Sequence, residues 1–84
     1  MTLETLAKLP HVTGVKQVTK AVNKGKAVCV FVASDADGRV TQPLKVLCGT
    51  AGVELVETAT MSELGRACSI EVGSAAAAAL AEKR

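Results

Sequence analysis

The sequence predicts an α/β domain in which helices pack on a central sheet. Three observations carry this. Segments of helical and strand period alternate along the whole chain. One segment, Ala27 to Ala33, is apolar at every position, as a central strand covered on both faces requires. The 84 residues amount to one domain, 1–84, and 49% hydrophobic with 21% charged is the balance of a folded chain.

Leu3, Leu6 and Ala7 recur at helical spacing, and Pro10 stops that short first helix. His11-Val12-Thr13 allows only a brief strand before Gly14. From Val15 to Asn23 the pattern is helical again, with Val15, Val18 and Val22 forming one apolar stripe. Gly25 fits the residue just past the end of that helix. After the strand at 27–33, Ser34-Asp35-Ala36-Asp37-Gly38 is turn chemistry, and Pro43 suits the first turn of a third helix. Leu44, Leu47, Cys48 and Ala51 form its stripe, and Gly52 closes it. Val53 to Val56 is a short strand. Thr60-Met61-Ser62-Glu63 is a capping box, after which Met61, Leu64 and Cys68 line the buried side of a fourth helix. Ile70-Glu71-Val72-Gly73 reads as a loop. Ser74 to Leu80 contains five consecutive alanines, which propensity alone assigns to helix.

Composition removes several functions. Phe31 is the single aromatic residue, so recognition by stacking bases or sugars on rings is excluded. No apolar run reaches about 18 residues, so no membrane span or membrane partner is expected. Met1-Thr2-Leu3-Glu4-Thr5 lacks the basic and long apolar regions of a signal peptide, which points to a cytoplasmic address. Cys29, Cys48, Cys68 and His11 are scattered, without the spacing of a zinc site. Reduced, buried cysteines, no metal and no cofactor are therefore expected.

The charge is placed unevenly. Residues 8–26 hold Lys8, Lys16, Lys20, Lys24 and Lys26 and no acid. Such a cluster is the footprint a polyanion would use, although on charge alone a solvated basic face is the simpler account. Lys16, Lys20 and Lys24 recur every four residues and so share one helix face, where like charges repel. A phosphate backbone would relieve that repulsion. Gly14 permits close backbone approach at the start of this helix, whose first amides point outward. Gln17 offers both a donor and an acceptor to a base edge. An ordinary exposed Lys/Gln helix has the same spacing.

Ile70 and Val72 flank Glu71, and their apolar groups are either packed beneath the loop or presented to a partner. Asp35 and Asp37 stand just before a helix, where Asp caps amides, so capping is preferred to acid–base chemistry. No phosphate-binding glycine loop is present, and His11 has no visible triad partner. Cys68 falls on an apolar stripe and is a poor candidate nucleophile.

Three strings together resemble a known family. Thr13-Gly14-Val15-Lys16-Gln17-Val18-Thr19-Lys20-Ala21-Val22 is similar to its RNA-reading helix. Val32-Ala33-Ser34-Asp35-Ala36-Asp37 is similar to its central strand and acidic turn. Glu63-Leu64-Gly65-Arg66-Ala67-Cys68 followed by Ile70-Glu71-Val72 is similar to its fourth helix and recognition loop. The family is that of the kink-turn RNA-binding ribosomal proteins, the "L seven Ae / L thirty e" superfamily, and the likeness is greatest to its short bacterial paralogues.

The resemblance implies a three-layer α/β/α sandwich with a mixed four-stranded central sheet, in which Ser74–Leu80 is a strand despite its alanines. It implies a non-enzymatic RNA-binding protein that stabilises kink-turns, which are helices bent at a bulge beside tandem sheared G·A pairs. By matching position, Gly14, Lys16, Gln17 and Lys20 would meet the G·A pairs and phosphates. Ile70, Glu71 and Val72 would cover the extruded nucleotides. Lys16 and Gln17 stand where many family members have Asn and Glu, a departure that bears on affinity and motif preference. The implied partner is structured ribosomal or regulatory RNA, with the ribosome or a riboswitch as its setting, and the protein is expected to be a monomer. Two other readings compete: a protein-interaction module of the same fold, and a small enzyme using Asp35, Asp37 or Cys68.

Overall fold

The computed structural model describes residues 2–57, 60–70 and 73–81. The order is α1 (Leu3–Lys8), β1 (His11–Thr13), α2 (Val15–Asn23), β2 (Ala27–Val32), α3 (Gly38–Ala51), β3 (Glu54–Val56), α4 (Met61–Ala67) and β4 (Ala76–Leu80). The strands form one sheet in the order β1-β4-β2-β3. β2 and β3 are parallel, joined by the α3 crossover, while β4 is antiparallel to both β1 and β2. The sheet is therefore mixed and four-stranded, as expected.

Alternation along β2 and β4 decides the layers, because successive side chains leave opposite faces. Cys29, Phe31, Ala33, Ala77 and Ala79 meet Leu6 of α1 and Leu64 of α4 on one side. Val30, Val32, Ala76 and Ala78 meet Val18 and Val22 of α2 and Leu44 and Cys48 of α3 on the other. The result is helices, sheet, helices.

The alanine run is a strand for this reason. Ala76 to Ala79 are wholly buried between two helical layers, where a small side chain lets both layers approach closely. Helix propensity is a preference of a fraction of a kcal/mol per residue and yields to that burial and to two flanking ladders.

α2 runs over Val15–Asn23 as its stripe predicts, and Gly25 follows it at φ +69, the left-handed exit. The capping box is complete: Thr60 Oγ1 accepts the Glu63 N–H, and Glu63 Oε1 accepts the Thr60 N–H.

Three expectations need correction. Pro43 lies inside α3, not in its first turn, because Asp37 starts the helix five residues earlier by accepting the Arg39 N–H at 2.9 Å. The Pro43 ring is exposed, where the loss of one helical bond is tolerated. The buried stripe of α3 is Thr41, Leu44 and Cys48, while Ala51 faces water, as Ala7 does in α1. The run at 27–33 is covered on both faces except at Val28, which is 46% exposed. There the register with β4 slips between Ala27 and Cys29, so the extra residue turns out of the ladder.

All three cysteines are buried and free. Burial, with the Glu54 carboxylate nearby, pushes the Cys29 thiol up to about 11 from an ordinary 9.0. Burial also raises Cys48 and Cys68. Thiolate is the reactive species, so burial works against a nucleophilic role for all three. Between pH 9 and 11 the unfolded chain sheds thiol protons that the folded chain retains. Stability is thus full below about 9 and falls as pH rises toward 11. We expect an aromatic disulfide reagent to leave the native thiols unmodified at pH 8 and to titrate all three in denaturant. Urea midpoints should be lower at pH 10.5 than at pH 8.

Candidate functional site

Among the described helices, α2 alone begins without a side-chain cap. Thr2, Asp37 and Thr60 each accept an amide of α1, α3 and α4. The N-cap of α2 is Gly14, at φ +90 and with no side chain to offer. A Cβ on Gly14 would meet nothing within 4 Å, so it is the backbone angle, not crowding, that calls for glycine. The first amides of α2 therefore lack a side-chain acceptor, and its first turn holds no acid. Unpaired amides and the positive end of the helix dipole together favour an anion.

The side chains on that rod are arranged to match. Val18, Ala21 and Val22 are buried, Val18 and Val22 against the sheet and α3. Lys16, Gln17, Lys20 and Lys24 fall on the other side and are exposed. Gln17, Lys20, Lys24 and Lys26 share a shallow groove of about 260 Å³ with Val12 and Leu80. The five-lysine cluster read from the sequence is thus largely one surface, with Lys26 added from the α2–β2 turn.

The second half of the site leads into β4. Ile70 is half-buried, and its N–H donates to the Gly65 carbonyl at 2.9 Å, on the far end of α4. Glu71 and Val72 lie outside the described residues. Gly73 is exposed and Ser74 is buried. The two halves meet at one atom. The Ala76 carbonyl accepts the Gly14 N–H at 2.9 Å and the Ser74 hydroxyl at 2.6 Å. The start of α2 and Ser74 therefore sit side by side at one end of the sheet.

The two aspartates are caps. Asp37 starts α3, and the guanidinium and N–H of Arg39 hold its carboxyl below the usual carboxylate range. Asp35 accepts the Met61 N–H at 2.8 Å, a contact across 26 residues that no local pattern announces. Among the described residues, no group of His, Cys, Asp and Glu could hold a metal ion, and no helix is long and apolar enough to cross a membrane. Sequence reasoning also missed a larger, mostly apolar groove of about 900 Å³ along the outer side of α3, where Pro43, Val46 and Leu47 lie. Its one cation, Arg39, is paired with Asp37.

Comparison with known proteins follows the same geometry. The family model described as ribosomal protein L7Ae/L30e/S12e/Gadd45 family matches residues 5–84. An RNA-binding protein of Caldanaerobacter subterraneus is 44% identical over 68 residues, covering 81% of this chain and 83% of that protein. The large ribosomal subunit protein eL8 of Halobacterium salinarum is 44% identical over 69 residues, 81% of this chain but 58% of that protein. Among solved structures, the 15.5kD RNA binding protein of Giardia lamblia superposes with a TM-score of 0.86 at 31% identity, over 96% of this chain and 69% of the other.

Proposed function

This chain belongs to the ribosomal protein L7Ae/L30e/S12e/Gadd45 family, and from that premise we propose that it is a non-enzymatic RNA-binding protein that recognises and stabilises kink-turns. The observation that carries the reading is the uncapped, lysine-bearing start of α2, set beside Ser74 through the Ala76 carbonyl. Relatives named as RNA-binding proteins support an RNA partner, and the likeness to a large-subunit ribosomal protein supports ribosomal or regulatory RNA as its source.

Gly14 brings the backbone against the RNA. Lys16 and Lys20 meet phosphates and guanine edges, and Gln17 bonds a base edge. Ile70, with Glu71 and Val72, covers the nucleotides extruded at the bulge. The protein acts as a monomer in the cytoplasm and shifts the RNA toward its bent form by binding that form better than the extended one.

A gel shift decides the matter. A kink-turn is expected to shift at a protein concentration at least tenfold below that needed for the same duplex with its G·A pairs replaced by Watson–Crick pairs. Equal retention of both RNAs would sink the reading. A protein-interaction module of the same fold is favoured by a different observation, the exposure of Val46 (59%) and Val40 (40%) on α3. The chain has no Trp or Tyr, so co-purified RNA dominates its ultraviolet spectrum. Persistent absence of that absorbance points to the interaction module.

A further inference from the structure

The positive surface of α2 does not stop where the proposed base contacts stop. The groove lined by Gln17 and Lys20 is lined also by Lys24 and Lys26, with Val12, Ala21 and Leu80. Among the described residues that line it, none is acidic. Lys24 is the last residue of the helix cap, and Gly25, at φ +69, turns the chain back beside it. The Lys26 N–H then donates to the Ala21 carbonyl at 2.9 Å, and the Lys26 carbonyl accepts the Ala81 N–H at 3.0 Å. The backbone of Lys26 is thus tied to α2 on one side and to the residue after β4 on the other.

The carbonyl end of a helix carries about half a negative charge and ordinarily repels phosphate. A polyanion running along α2 from its amide end would meet that charge. Lys24 stands there as the cap, and Lys26 arrives beside it from outside the helix. Their ammonium groups reverse the local sign, so the exposed side of α2 is positive from Gly14 to Lys26. The dipole alone accounts for a cation at Lys24. It does not account for three ammonium groups around one concave surface, where they repel one another.

We infer, resting on the kink-turn reading, that Lys24 and Lys26 form a second contact, for the phosphodiester backbone of the stem that continues beyond the G·A pairs. Gln17 belongs to both surfaces. It bonds a base edge in the proposed site and it lines the groove, so the phosphates that reach Lys24 and Lys26 are those next along the same stem. Lys24 lies at the far end of α2 from Gly14, about 15 Å along the axis by the rise of an α-helix. That length passes several phosphates of one strand. The contact reads charge and position, not sequence. Affinity therefore depends on this stem as well as on the bulge and the G·A pairs.

The test measures salt slopes with the full chain on three kink-turns of one sequence. The first has all its phosphates charged. The second carries uncharged methylphosphonate linkages in the stem beyond the G·A pairs, and the third carries them in the stem across the bulge. Lys24→Gln and Lys26→Gln are each expected to lower the slope on the first RNA by about one unit and to bind it about three- to tenfold more weakly. The same loss is expected on the third RNA. On the second it should vanish, and the parent's own slope should already be lower by about two units. Lys24→Arg keeps the charge and should keep the parental slope. Circular dichroism melts register what Lys24 contributes to its helix, a contribution that does not distinguish the three RNAs. Parental slopes in both glutamine variants while Lys20→Ala still lowers the slope, equal losses on all three RNAs, or a loss that vanishes only on the third, each overturns the stem contact and leaves the kink-turn reading intact. If the parent chain itself does not prefer a kink-turn to plain duplex, both fall.

Discussion

Lys20→Ala is expected to weaken kink-turn binding by about 1–3 kcal/mol, roughly 5- to 150-fold, and to lower the salt slope by about one unit. Lys20 is exposed on α2, one helical turn past Lys16 and in the same groove as Gln17 and Lys24. Its ammonium packs against nothing in the core, so its loss leaves the fold unchanged and removes one cation from the RNA contact. The slope separates this from a general loss of affinity, because each neutralised phosphate contributes about 0.9 to the dependence of log K on log salt. Titrations at three or more salt concentrations measure both quantities. If neither changes, α2 is not the RNA surface. Lys45 is a control, since it lies on α3 and pairs with Glu57. Lys45→Ala should leave the slope where it was.

The largest effect on stability is expected from Phe31→Ala. Phe31 is the largest fully buried side chain among the described residues and is 1% exposed; it stands near the end of β2, paired with Ala77 of β4 and Val56 of β3, and packs in one core with Leu6 of α1 and Leu64 of α4. Deleting a buried phenyl ring costs about 3–5 kcal/mol, through lost transfer energy and the cavity left behind. A chain of this size has about 4–13 kcal/mol in total. The substitution therefore takes much of what holds the domain together. A fall in the melting midpoint of roughly 15–35 °C is expected, read by far-ultraviolet circular dichroism because no Tyr or Trp reports on folding. Phe31→Leu keeps most of the volume and should cost no more than about 1.5 kcal/mol. A small loss in the alanine variant would mean that the layer between α1, α4 and the sheet is loosely filled.

The parts of this molecule legible in its sequence are those where local chemistry and tertiary context agree. Val15, Val18 and Val22 mark the buried side of α2 by spacing alone, and Gly14 and Gly25 bound it. Thr60 and Glu63 write the start of α4 in four letters. The start of α3 was hidden because Pro43 is a stronger local signal than Asp37, and the helix runs through it on a face where a missing bond meets water. β4 could not be read from its residues, since alanine favours helix and only burial between two layers makes it a strand. It came from resemblance. In the site, the lysines and Gln17 were visible as a repeat of four on an exposed face. The bond from Asp35 to Met61 was not, because no periodicity links residues so far apart. Its place before α3 reads as a cap for that helix, but Asp35 accepts the first amide of α4 instead.

The strand order carries a consequence for how the protein is made. β4 follows the other three described strands in sequence yet lies between β1 and β2, which do not pair with each other. A nascent chain can form helices and the β2–β3 pair, but its sheet stays split until residues 76–80 leave the exit tunnel. Contacts this distant in sequence fold slowly, because loop-closure entropy is lost before the contact is gained. Until β4 inserts, the facing edges of β1 and β2 stay open, and open strand edges invite aggregation.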